Sequence, residues 1–265
     1  MSTNTPDIPR PSKFVPTISP SEVAAFAAPR TARLSYHDGP LISAAQLQAI
    51  FWGPAWQQAP HSALIGRMNE FFQFILRSSF MDVLAQYSVP GRPIGHGQYL
   101  GAVTVTTPAL GDSVSDEQIR QALQGWIQDR TVAQPTANTL YFIYLPPGVV
   151  STMDGGSSCT VYCGYHDHIE ERIYYSVQPF IDCPGCEFGD GIFDSLTKVS
   201  SHELCEIITD PALNGWFDRA TGDEIGDICN GNVTSLGGFV IQGEWSNNQN
   251  ACTIAPRRVP SRRVP

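Results

Sequence analysis

His202, Glu203 and Glu206, within Ser201-His-Glu-Leu-Cys-Glu206, have the types and the spacing of a metal-holding helix. On an α-helix, residues four apart project from one face a turn apart, so His202 and Glu206 would converge, with Glu203 beside them. The spacing is that of H-E-x-x-H, whose outer residues hold zinc and whose Glu is a general base. Glu206 stands where the second His would be, so the match is to the geometry and not to the exact motif. A catalytic zinc site needs three protein ligands and an open position for a water. The metal lowers that water's pKa to about 7, and a carboxylate takes its proton. His202 and Glu206 would be two ligands and Glu203 the base. The competing reading is a solvated helix face.

A third ligand must come from elsewhere. Residues 222–227, Gly-Asp-Glu-Ile-Gly-Asp, offer carboxylates some 18 residues past Glu206. Zincins of the Glu-ligand kind are similar: a downstream Glu binds zinc and a nearby Asp supports a ligand His. Glu224 is therefore read as a ligand and Asp227 as its support or substitute, against a plain acidic turn. Asp210 is a weaker candidate, better suited to a cap or turn before Pro211. His166 can instead complete the set, or line the site as a substrate contact; His168 is read as a surface-loop residue. One imidazole with two carboxylates is a hard, anionic set, so Mn2+ or Ca2+ compete with Zn2+.

The seven cysteines are Cys159, Cys163, Cys183, Cys186, Cys205, Cys229 and Cys252. The run from Cys159 to His168 with Cys183 and Cys186 could be a structural zinc cluster, but its spacings match no standard zinc module. Disulfides pinning a loop beside the helix are the better reading. Cys229 and Cys252 make a further pair, and Cys205, inside the helix, is the free thiol.

The elements that would position these residues alternate. Residues 47–53 read as a strand. Residues 62–87 read as a helix, with Leu64, Met68, Phe71, Phe72 and Ile75 at helical spacing and a second helical turn around 80–84. Residues 100–107 are β-branched and strand-like. Ser115 with Gln118 three residues on forms a capping-box start for a helix to about Arg130. Residues 139–145 read as a buried strand and 172–178 as an edge strand along which an extended substrate could pair. Asp194 reads as the cap of a helix from Ser195 to Thr209, closed by Pro211. The order argues for an α+β fold, a zincin-like mixed sheet with packed helices, an active-site helix and a loop-rich C-terminal part.

The chain of 265 residues is 42% hydrophobic and 15% charged, with 23 Gly and 21 Pro, which suits one loop-rich globular domain. That domain is placed at 36–255, between a flexible N-terminal arm, 1–35, and a basic tail, 256–265. A net charge of −9 argues against nucleic-acid binding, and no apolar run is long enough to span a membrane. Cysteine number and clustering suit an oxidising compartment. Residues 23–28, in contrast, are too short and too poorly flanked for a signal h-region. Asn232-Val-Thr234 fits a glycosylation acceptor, relevant to a secreted chain.

Several stretches together resemble the EXORDIUM-like, or phosphate-induced, protein family of plants and its microbial relatives. They are Tyr36-His-Asp-Gly-Pro-Leu41, Ala49-Ile-Phe-Trp-Gly53, Cys163-Gly-Tyr-His166, Ser201-His-Glu-Leu204 with Glu206, Asp210-Pro211, Glu224-Ile-Gly-Asp-Ile-Cys229, Glu244-Trp-Ser-Asn247 and Ala251-Cys252. The resemblance covers roughly residues 35–254. It implies an extracellular protein, and its microbial members look like zinc metalloproteases. The expectation is a zinc-dependent metallopeptidase acting on a peptide or protein substrate. The alternative is a non-catalytic extracellular binding protein with a structural metal or none.

Overall fold

Apolar, β-branched and aromatic runs build one central sheet. The computed structural model describes residues 11, 13–17 and 31–256. Six strands pair in it: β1 (Phe14–Pro16), β2 (Gln46–Trp52), β3 (Gln98–Val105), β4 (Thr139–Tyr144), β5 (Tyr162–Ile169) and β6 (Ile173–Gln178). Their order across the sheet is β1-β5-β6-β4-β2-β3. β3, β2, β4 and β6 run parallel, while β5 and β1 extend that edge antiparallel. Parallel neighbours need long crossovers. Helix α1 (His61–Ile75) and the single turn α2 (Met81–Leu84) lie between β2 and β3, and α3 (Asp116–Gln128) lies between β3 and β4. Helix α4 (Ile192–Thr209) follows β6.

All six residues of β4 are buried, as a strand covered on both faces requires. Leu140, Phe142 and Tyr144 join a core with Phe71, Phe72 and Ile75 of α1 and with Leu196 and Val199 of α4. Tyr141 and Ile143 join a second core with Ile119, Leu123 and Trp126 of α3. The capping box that opens α3 is present, with Ser115 and Gln118 each bonding the other's backbone N–H.

α4 has 16 of its 18 residues buried, because it lies between β5 and β6 on one side and the Phe239–Gln242 strand on the other. Its polar side chains are therefore out of water and must find partners inside. Around it the chain is held by three disulfides, Cys159–Cys183, Cys163–Cys186 and Cys229–Cys252. Each closes a loop of 23 or 24 residues, worth on the order of 3 kcal/mol of unfolded-chain entropy. The expected pair Cys229–Cys252 and the free, buried Cys205 are both found.

Three expectations are corrected. The strand at 172–178 is not an edge: β6 is flanked by β4 and β5, so both its backbone edges are already paired. The run from Cys159 to His168 is not all loop, since Tyr162 onward is β5. Asp194 does not cap α4; the helix begins three residues earlier than expected, at Ile192, after Gly191 at φ 120°, a conformation that favours glycine. Asp194 sits in the first turn and accepts from the Asp190 N–H. Within the 1–35 segment, Phe14–Pro16 pairs with β5, and Leu34–Tyr36, which runs one residue past it, pairs with Trp216–Asp218. The rest of that arm, apart from residues 11, 13, 17 and 31–33, lies outside the described residues, as does the 256–265 tail beyond Pro256. The fold is a mixed sheet with several small accessory sheets and, among the described residues, four α-helices.

Candidate metal centre

Lys198, His202 and Glu206 follow one another at four-residue intervals along α4, so they line one face, with Glu203 beside them. β5 runs against that face and contributes His166. The acidic segment before Cys229 contributes Glu224 and Asp227, and the C-terminal hairpins contribute Gln242 and Glu244. His166, His202, Glu203, Glu206, Glu224, Gln242 and Glu244 are all 0% exposed, and Asp227 is 8% exposed. Two glycines permit this approach. A Cβ at Gly226 would lie 2.7 Å from His202 Nδ1, and one at Gly164 would lie 2.6 Å from Val199 Cγ1 and 3.4 Å from Glu203 Oε1.

Within the cluster, His166 Nδ1 lies 3.1 Å from Glu203 Oε2 and 3.5 Å from Glu206 Oε2. His166 Nε2 lies 3.6 Å from Glu224 Oε2. His202 Nε2 lies 2.9 Å from Glu206 Oε1 and 3.9 Å from Asp227 Oδ1. The Gln242 amide donates to Gly226 O at 2.7 Å and faces His202 Nδ1 at 2.8 Å. The Gly226 bond fixes that face as the NH2 end, so Nδ1 accepts and the ring proton sits on Nε2, toward Glu206.

Burial and crowding set the electrostatics. Burial pushes the Glu203 carboxyl up, against the pull of His166. Burial, then repulsion from Glu206, pushes Glu224, Asp227 and Glu244 well above the usual carboxylate range. Burial also opposes ionisation of Glu206, but His202 and His166 outweigh it and hold Glu206 down. Burial would lower His166, yet Glu203 and Glu206 raise it to about 10. Lys198 is brought down to about 7 by burial, against the pull of Glu244, and donates to Asn230 Oδ1 at 2.9 Å.

The residues suit a divalent cation. His166 Nε2, His202 Nε2, Glu203 Oε1 and both carboxylate oxygens of Glu206 and Glu224 are buried without an aligned hydrogen bond, a costly state unless something else satisfies them. His202 Nε2 and Glu206 Oε1 are 2.9 Å apart and still unaligned. Two ligands at about 2.0–2.2 Å from one ion sit roughly 2.9–3.5 Å apart, which matches. Two overlapping triads, His166/Glu203/Glu206 and His202/Glu206/Asp227, could each hold a metal ion.

Every residue expected at the site is therefore in one cluster. Asp210 lies at its border, where Oδ1 accepts from the Asn214 and Gly215 N–H groups, a turn role, and burial lifts its carboxyl to about 6. His168 is half-buried at the far end of β5, accepting from Glu171 N–H, outside the cluster. Lys198, Gln242 and Glu244 are not among the sequence-derived site residues. Lys198 has a signal, one helical turn before His202, and Glu244 lies in one of the stretches that carry the family resemblance; Gln242 has no local signal. Two surface cavities of about 770 and 670 Å3 open elsewhere, beside Lys13, Asp116 and Asp154 and beside Trp52, Pro108 and Trp126.

The fold and the site define a disulfide-linked α+β protein with a buried histidine–carboxylate centre. The chain is similar to Protein EXORDIUM-like 5 of Arabidopsis thaliana, 23% identical over 287 residues that cover 83% of this chain and 77% of the relative. It is also similar to Protein EXORDIUM-like 3 of the same plant, 32% identical over 68 residues, 24% of this chain and 20% of that one. No family model and no solved structure matches the chain. These similarities support a relationship with EXORDIUM-like proteins and do not extend to zinc metalloproteases. No helix among the described residues is long and apolar enough to cross a membrane.

Proposed function

We propose that this chain is a non-catalytic, extracellular EXORDIUM-like protein, one that recognises a cell-wall or surface ligand and carries a buried divalent-cation centre of structural kind. One observation carries the reading: His166, His202, Glu203, Glu206 and Glu224 are completely shut from solvent. A structural ion is enclosed by protein groups, whereas a catalytic ion keeps a position open to water and substrate. Three disulfides and the similarity to EXORDIUM-like proteins favour an extracellular setting. In this role the ion supplies positive charge among the carboxylates and links α4, β5, the 224–227 segment and the C-terminal hairpins.

Ion binding to the folded state alone stabilises it by about 2.7 kcal/mol at a hundredfold excess over Kd. Chelation followed by calorimetry is the test. The expected result is a drop of about 5–10 °C in Tm, restored by Zn2+ or Mn2+. An unchanged Tm, with no metal found by elemental mass spectrometry, would remove the metal centre.

A second reading, a zinc metallopeptidase with Glu203 as base, draws on the His202/Glu203/Glu206 spacing and on the carboxylate of Glu203 lying in the same cluster. It predicts that Glu203→Gln keeps the ion and loses peptide hydrolysis. Absence of hydrolysis in the metal-loaded wild type across a peptide library would end it.

A further inference from the structure

The two triads share a single residue, Glu206, and its two oxygens point to different histidines. Oε1 is 2.9 Å from His202 Nε2, and Oε2 is 3.5 Å from His166 Nδ1. Neither oxygen has an aligned hydrogen bond. Each histidine also offers its second nitrogen to a separate polar group: His166 Nε2 faces Glu224 at 3.6 Å, and His202 Nδ1 faces Gln242 at 2.8 Å. Glu224 and Gln242 thus stand at the ring nitrogens not turned to Glu206, the place from which a second residue orients a metal-ligating histidine. A carboxylate that serves one histidine with each oxygen, between two ligand triads, has the arrangement of a bridge.

Charge points the same way. Glu203, Glu206, Glu224, Asp227 and Glu244 are buried carboxylates around the two histidines, with the Lys198 side chain buried on the same helix face. Buried charges persist only when compensated.

We propose that the cluster is a two-cation centre bridged by Glu206. His166, Glu203 and Glu206 hold one ion; His202, Glu206 and Asp227 hold the other. Glu224, 3.6 Å from His166 Nε2, stands outside both triads. One imidazole and two carboxylates at each position select a divalent first-row ion such as Mn2+ or Zn2+. The inference deepens the metal-centre reading above and rests on it.

The test is metal stoichiometry and magnetic coupling in the full chain, stripped with chelator, reloaded with Mn2+ and desalted. About two Mn2+ per chain are expected, with the low-temperature EPR spectrum of an exchange-coupled pair. His166→Ala and His202→Ala should each leave about one ion, with the six-line spectrum of an isolated Mn2+. Asp227→Asn, a nearly isosteric change, gives a second way to empty the His202 position should a histidine variant fail to fold. Near-UV circular dichroism reports folding. One ion per chain, lost in either histidine variant, would overturn the bridge and leave a single-ion centre. Two uncoupled ions, or two ions kept in all variants, would also overturn it. No bound ion at all would remove the metal-centre reading together with the bridge.

Discussion

Gln242 and His202 meet through one contact, Nε2 to Nδ1 at 2.8 Å, that connects the C-terminal hairpin to the metal-facing ring of α4. Because the same amide nitrogen donates to Gly226 O, His202 carries its ring proton on Nε2, where an ion would bind. An ion on Nε2 would require the proton at Nδ1, opposite the NH2 end that the Gly226 bond holds there. Gln242→Glu places an acceptor there permanently. Cation affinity is expected to rise about tenfold, the scale of effects from such orienting partners. Competition against a fluorescent chelator measures it, and weaker binding would contradict the proton placement.

Gly226 is present because nothing larger fits. A methyl at this position would come within 2.8 Å of three atoms of the His202 ring, all buried. Gly226→Ala should push the ring out of line, lowering cation affinity at least tenfold and stability by about 1–3 kcal/mol, the usual cost of overpacking. Isothermal titration beside a urea melt separates the two effects. Unchanged affinity would mean that the 224–227 backbone gives way instead.

What could be read from the sequence was local and periodic. The helix bearing His202, Glu203 and Glu206 follows from four-residue spacing, β4 from its unbroken apolar run, and α3 from the Ser115/Gln118 box. β5 was hidden because Cys163, Gly164, His166 and Asp167 interrupt the apolar signal; these residues are in the strand for cross-linking, close approach and the site. Disulfide partners for Cys159 and Cys163 depend on how β5 faces the 183–186 turn, which spacing does not encode. Gln242 and Glu244 reach the cluster only through the packing of the C-terminal hairpins on α4, a long-range contact with no periodic trace.

Cys205 is 0% exposed, and burial pushes its thiol well up, so thiolate, the reactive form, hardly exists in the folded state. With the other six cysteines in disulfides, a thiol reagent should label nothing in the native protein. Under denaturing, non-reducing conditions it should label about one thiol per chain. Mass spectrometry of the labelled protein checks both counts. Five or more thiols would mean reduced cysteines and would undercut the extracellular assignment.

Lys13 holds β1 on the sheet through carboxylates on two other elements. Its Nζ lies 3.0 Å from both Asp154 Oδ2 and Asp167 Oδ2, and its backbone carbonyl accepts from His166 N–H. Burial pulls the ammonium's pKa down, but Asp167 and Asp154 outweigh it and hold the value above the ordinary 10.5. The folded state therefore keeps this proton more tightly than the unfolded chain does. The stabilisation is fully present below pH 10.5 and is lost as pH rises through the higher folded value. Lys13→Met should lower the urea midpoint at pH 8, and the gap to wild type should close as pH climbs above that range. A gap of constant size would mean that Lys13 stabilises through the packing of its methylene stem rather than by charge, and that the ion pairs contribute little, as exposed pairs often do.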